Sequence, residues 1–308
     1  TDPKLATKNI TADMIESIQV YDDMSDQAKF TRMDDGSRSK TINIKLKKDK
    51  KAGTFGRLVA GAGTDDRYET SLSLNRFKGV QRFSILAGSN NLNRQPFSFS
   101  DIVSTMGGFG SRSGGGPGGG VGFGDGTRVT ITAIGPGAGN SGNGINRNSS
   151  AGFNYTNKFN NKLELTGSYF FSQGNNHNER SSLRNTFFPN DSATLQSTES
   201  YSSSMNQNHR VNLRMEYFID SNNSLLYTPS LTWQHSESNS RDTTFTESQH
   251  SFEKYLAIDG VTRNTSQRDG GSINNNLLFR HKFRKTGRTL TVGINHSLNR
   301  SDGNGSNI

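Results

Sequence analysis

The residues of this chain best suited to bind a metal or move a proton near neutral pH are six histidines, His177, His209, His235, His250, His281 and His296, and they are scattered. None lies four residues from another beside an acid, and the chain has no cysteine to complete a zinc set. His177-Asn178-Glu179 has the His-x-Glu spacing of a zinc deaminase, but that chemistry also needs a cysteine pair. Asp22, Asp23 and Asp26 suggest a calcium loop, yet Met24 takes the third position and neither the Gly nor the terminal Glu of an EF-hand follows; solvated turn acids are the simpler reading. Serines are abundant without a Gly-x-Ser-x-Gly elbow. The stretch 109–126 is rich in glycine but holds no Gly-x-x-x-x-Gly-Lys-Ser/Thr, and Arg112, its one cation, makes no RGG array; it reads as a flexible surface loop. The sequence thus predicts no enzyme, no catalytic residue, no metal or cofactor site and no cofactor, and leaves ligand-binding residues unassigned.

Charge and composition narrow the class. The chain carries a formal net charge of +9, but its cations are interleaved with acids. The one dense run, Lys45, Lys47, Lys48, Lys50 and Lys51, reads as a solvated junction, so no nucleic-acid partner is expected. Only 29% of the residues are hydrophobic and the mean hydropathy is −0.76, too little for a helical bundle of 308 residues. Yet 19 Phe, 8 Tyr and many β-branched residues are too many for a solvated coil. No run approaches the ~20 apolar residues of a membrane-crossing helix, whereas a transmembrane β-strand needs only about 9–11 residues, apolar at alternate positions. Absence of cysteine rules out disulfides and fits an exported protein without staples. The sequence opens at Thr1 with no signal peptide, which for a piece of a longer chain says nothing about export. Asn-x-Ser/Thr triplets such as those at Asn148 and Asn154 are expected by chance in so Asn- and Ser-rich a chain.

Two regions follow from the patterning. In the first fifty residues, Thr11 caps a predicted short helix running to Glu16. A short strand over Ile18, Val20 and Tyr21 then ends at the Asp22–Asp26 cluster, and Thr41 to Leu46 alternates as a half-buried strand. From Gly53 onward nine alternating segments are predicted. Leu163, Leu165, Gly167, Tyr169 and Phe171 share one face against Glu164, Thr166, Ser168 and, as an exception, Phe170. Val211, Leu213, Met215, Tyr217 and Ile219 oppose Asn212, Arg214, Glu216 and Phe218. Leu225, Tyr227, Pro229, Leu231 and Trp233 oppose Ser224, Thr228, Ser230, Thr232 and Gln234, with Leu226 an apolar intruder. Leu290, Val292, Ile294 and Leu298 oppose Thr291, Gly293, Asn295 and Ser297.

Soluble antiparallel sheets alternate in the same way, so the connections discriminate. After a brief first connection at Thr64–Arg67, short turns at Lys78-Gly79, Asn160-Asn161, Asp220–Asn223 and Lys285–Gly287 alternate with predicted long loops at about 90–148, 173–206 and 236–270. That places every long loop at one end of the sheet, the asymmetry of outer-membrane barrels, and structureless loops of this length are uncommon in compact soluble domains. Tyr68, Phe77, Tyr155, Phe159, Tyr169, Phe171, Tyr217, Tyr227 and Phe283 sit near strand ends, as interfacial girdles or as ordinary strand aromatics. Pro229 inside a strand pattern fits an edge or a bulge better than a central position.

Asp2 to Val20, with Ala12-Asp13-Met14-Ile15-Glu16-Ser17-Ile18-Gln19-Val20 at its end, resembles the closing part of the plug of TonB-dependent outer-membrane transporters. Asp34-Asp35-Gly36, Lys40 to Lys51 and Gly53-Thr54-Phe55-Gly56 resemble the plug-to-barrel junction of the Bacteroidota members. The resemblance implies an all-β fold: an antiparallel transmembrane β-barrel, present as about nine strands over 51–308, preceded at 1–50 by the C-terminal remnant of a small α+β plug domain. Such transporters have about 22 strands, and nine would leave two unpaired edges, so a large part of the barrel is expected after Ile308.

The resemblance also implies a function: import of an unidentified solute across the bacterial outer membrane. The implied partners are outer-membrane lipid, the TonB complex through a segment outside this chain, and a surface lipoprotein. In that setting Arg210, Asn212, Arg214 and Glu216, polar positions on one strand, would hold the plug. Two alternatives remain open at this point, a non-transporting outer-membrane barrel acting in surface adhesion or assembly, and a soluble all-β binding module.

Overall fold

The structure, a computed structural model, describes residues 15–24, 26–34, 36, 38–47, 52–97, 144–189, 192–250, 253–285 and 287–308. Thr11 to Met14, the Gly-rich stretch and Lys48 to Lys51 lie outside them. Strands β1 (Ile15–Met24) and β2 (Arg38–Leu46) form an antiparallel ribbon, with helix α1 (Asp26–Thr31) between them. β2 contains the predicted strand. The helix expected to reach Glu16 does not, because Ile15 and Glu16 already belong to β1. Nor does β1 stop at Asp22: the ladder with β2 runs on from Asp22 opposite Lys40 to Met24 opposite Arg38.

The rest is one antiparallel sheet made of β3 (Ala52–Ala62), β4 (Tyr68–Lys78), β5 (Gln81–Asn90), β6 (Ile145–Phe159), β7 (Leu163–Phe188), β8 (Ser192–Phe218), β9 (Asn223–Tyr227), β10 (Ser230–His250), β11 (Glu253–Lys282) and β12 (Thr289–Asn307). β9 and β10 are two stretches of one ribbon, each paired to β8 on one side and β11 on the other. The sheet is therefore a meander of nine ribbons in sequence order, the number predicted. Pro229 marks the interruption, and it sits inside the sheet, not at an edge. Its carbonyl still accepts from the Leu213 N–H (3.0 Å), and the Thr228 N–H donates to Asn276 O (2.8 Å), so the ladder loses little. Among the described residues β3 and β12 each pair with a single neighbour.

The short turns are set by local chemistry. Asn160 and Asn161 both have positive φ (47° and 53°), and the Lys162 N–H donates to Phe159 O (3.0 Å), the geometry of a type I′ hairpin. At Asp220 the carboxylate accepts from the N–H groups of Asn222 (2.7 Å) and Asn223 (2.8 Å), closing an Asx-type turn.

Two of the predicted loops are corrected. Most of 173–206 continues β7 and β8, whose register runs unbroken from Leu163 opposite Tyr217 to Phe188 opposite Ser192. Most of 236–270 likewise continues β10 and β11 out to His250 opposite Glu253. Ser, Thr, Asn and Gln offer no apolar contrast by which period-2 structure can be read from sequence, but their backbones pair as well as any. Of 90–148, residues 91–97 fold back over the sheet; Phe97 packs on Leu86 and Phe170, and the Asn148 amide donates to Arg94 O (3.1 Å).

Burial on the sheet is inverted relative to a water-soluble protein. Ser73, Asn75, Ser84, Ser150, Asn154, Ser168, Ser172, Asn208 and Ser224 are buried on one face, whereas Leu72, Phe153, Val211, Leu231, Trp233, Ile273, Val292 and Ile294 are exposed on the other. The two apolar intruders, Phe170 and Leu226, are both buried among the polar residues of their face, Phe170 against Leu86. Phe77 is a further correction: it shares a face with Ser73 and Asn75 and stacks on Phe55 (5.3 Å), away from the exposed apolar side.

Candidate functional site

Strand pairing lines up the exposed face in rows. One row runs Phe159, Leu163, Tyr217, Leu225, Phe279, Val292; another, toward the long-hairpin end, runs Phe171, His209, Trp233, Gly271. In the second row the rings touch, with centroids 4.9 Å apart for Phe171 and His209 and 5.1 Å for His209 and Trp233, and the Tyr169 hydroxyl bonds His209 Nδ1 at 2.9 Å. From Leu163 to Phe171, or Trp233 back to Leu225, is eight residue steps, about 26 Å along a strand. Beyond the upper row the face becomes polar: His235 holds Asp269 at Nδ1 (2.7 Å) and Glu237 at Nε2 (3.1 Å). The two ring nitrogens face apart, so these carboxylates do not share a point at which a metal could sit. His177, His250 and His281 have separate partners in Glu179, Ser192 and Asn223.

At the short-turn end the N-terminal unit meets the sheet. Arg214 and Glu216, two of the four residues predicted to grip it, lie on the polar face of β8 and pair with each other at 2.9 Å. Glu216 also accepts from Arg280 on β11, which is 4% exposed. Phe30 of α1 lies over this group, its ring centroid 5.2 Å from the Arg280 guanidinium carbon and 5.2 Å from Lys282 Nζ. Arg210, Asn212 and Arg214 share one face of β8, and of the four predicted residues only Glu216 lines the cleft beneath Phe30. That cleft, of about 600 Å³, is lined by Phe30, Lys162, Phe218, Asp220, Arg280 and Lys282 among others.

Of Arg210, Asn212, Arg214 and Glu216, the structure brings Glu216 to this cleft, with Arg214 paired to it; sequence reasoning missed Phe30, Arg280 and Lys282. The available signal was a cation on the polar side of a strand otherwise reading Leu277-Leu278-Phe279; the partner 64 positions away in β8 was not visible.

No protein-family model matches the chain, and a search of curated proteins finds no match.

Proposed function

We propose that the sheet is the first part of an outer-membrane β-barrel of the TonB-dependent transporter type, that β1, α1 and β2 are the end of its plug, and that the whole protein imports a solute. The observation that carries this reading is the inverted burial: the apolar face is the exposed one. A face of this kind is stable against lipid and costly against water, at about 25 cal/mol per Å² of apolar surface. The strip from Leu163 to Phe171 is nine residues long, enough for a tilted transmembrane strand, and aromatic rings border it. In the same frame the polar face lines the lumen and the short turns are periplasmic. The N-terminal unit then occupies the periplasmic end of the lumen, gripped through Phe30. Partners in this reading are outer-membrane lipid, the TonB complex through a segment outside this chain, and a surface lipoprotein above the hairpins; the reading includes no nucleic acid, cofactor or catalytic step.

Trp233, the single tryptophan, supplies the test. In vesicles containing phospholipid brominated along the acyl chain, its fluorescence should be quenched, most by bromines near the headgroup, while aqueous acrylamide quenches little. Quenching by acrylamide without quenching by brominated lipid would overturn the membrane assignment and favour a soluble all-β module.

The long polar hairpins favour a second reading on their own account, a non-transporting barrel of the same architecture whose extended β7, β8, β10 and β11 serve adhesion or assembly. Unchanged uptake of every tested nutrient in a knockout that loses surface attachment would select it.

A further inference from the structure

Among the described residues, the cleft under Phe30 carries cationic groups that its acids do not neutralise. Both oxygens of Glu216 are committed, one to Arg214 and one to Arg280. Asp220 spends its carboxylate within the turn, on the Asn222 and Asn223 N–H groups and the Asn223 side-chain amide (2.7 Å). Lys162 and Lys282 remain on the cleft wall, and Arg280, more than nine-tenths buried, has a buried Nε with no hydrogen-bond partner among the described residues. A guanidinium buried with one donor unmatched is costly, and further acceptors around it lower that cost. Phe30, Phe218 and Ile219 give the same cleft an apolar wall, and about 600 Å³ is ordinary for a small-molecule site.

We propose that this cleft is a binding site for an oxyanion, a carboxylate or phosphate, carried on a small apolar or aromatic body: Arg280, Lys282 and Lys162 take the charge, and Phe30 and Phe218 flank the body. This goes beyond the transport reading and does not depend on it, since the site is built from side chains whatever surrounds the sheet. A ligand there would bear on the junction between the N-terminal unit and the sheet, because Phe30 belongs to the one and Arg280 to the other.

Isothermal titration of the whole protein in a non-ionic detergent tests the proposal with four probes: inorganic phosphate, phenyl phosphate, benzoate and benzyl alcohol. Phenyl phosphate and benzoate should bind saturably and more tightly than inorganic phosphate, and benzyl alcohol should give no saturable heat. Lys282→Gln and Lys162→Gln leave the Arg280–Glu216 pair intact and should each weaken phenyl phosphate about tenfold, the worth of one charged hydrogen bond. Phe30→Ala should bring phenyl phosphate down to the affinity of inorganic phosphate, and Arg184→Gln, far out on β7, should change nothing. Absence of saturable binding by both aryl anions, or equal affinity in Lys282→Gln and the unaltered protein, would overturn the site. Either failure leaves the membrane reading standing, because that reading is decided by lipid quenching of Trp233.

Discussion

The ring of Phe30, in the short helix between β1 and β2, lies 5.2 Å from the guanidinium carbon of Arg280, buried near the end of β11. With Lys282 at the same distance, this one side chain ties the N-terminal unit to the far side of the meander. Each cation over the ring contributes about 0.5–1 kcal/mol at a partly exposed site. Phe30→Ala should therefore loosen the N-terminal unit by about 1–2 kcal/mol, read as a roughly tenfold rise in amide exchange across β1 and β2 with β7 and β8 unchanged.

Glu216 is the centre of the charged group beneath that ring. Replacing it with Gln leaves Arg280 buried without a counter-charge, and breaking one partner of a buried pair costs about 3–5 kcal/mol. Denaturant unfolding in detergent micelles should show a loss on that scale for Glu216→Gln. Glu216→Gln combined with Arg280→Gln should be clearly more stable than Glu216→Gln alone; strict additivity of the two changes would refute the coupling.

The Arg210→Gln, Arg214→Gln double variant tests the wider grip on the N-terminal unit. Removing Arg214 strips Glu216 of one partner at 2.9 Å, and removing Arg210 takes a second cation from the same face of β8. Antibiotic permeability of cells carrying the full-length double variant should rise. Unchanged permeability would argue against a hold on the N-terminal unit by Arg210 and Arg214.

The Asp220 turn should respond to acid. Hydrogen bonds from the Asn223 side-chain amide, and then from the backbone N–H groups of Asn222 and Asn223, hold its carboxyl below the usual value of 3.8. A depressed folded-state value means that the turn's stabilisation is complete above the unfolded-state value and is lost as pH falls through the lower folded-state one. Exchange at the Asn222 and Asn223 amides, corrected for intrinsic rate, should accelerate below about pH 4. In Asp220→Asn that acid step should be absent.

Gly88 admits the segment that folds back over the polar face. A Cβ there would meet Pro96 Cβ at 2.7 Å and Phe97 Cε2 at 3.0 Å. Gly88→Val should lift residues 91–97 away from Leu86 and Phe170 and free the backbone at Arg94, already exposed but held at its carbonyl by Asn148, for faster cleavage by trypsin, while Gly53→Val, where the space is open, should not.

What could be read from sequence was whatever apolar contrast revealed. Leu163 to Phe171 alternates strongly, and there the strand, its faces and even the exceptional Phe170 were legible. Ser197 to Gln207 is polar but for Tyr201 and Met205, too sparse a contrast to distinguish a coil from a ladder; its pairing with Asn239 and Gln173 is a relation between segments. The Asn160-Asn161 turn was legible because its conformation is local. The cleft was legible only in small part: Glu216 declares itself by its place on the polar side of one strand, whereas Phe30 and Arg280 come together only through the order of the strands.

The continuation of β7 and β8 from Phe171 to Phe188 spans 17 steps, about 56 Å of paired strand beyond the upper aromatic row. A visitor approaching from that side meets a standing palisade, not a brush of loose chain. Its serines, asparagines and threonines are presented at fixed spacings of two residues, with the loss of chain freedom already met when the protein folded. Whatever is caught there is caught by a template whose pitch is that of the strand itself.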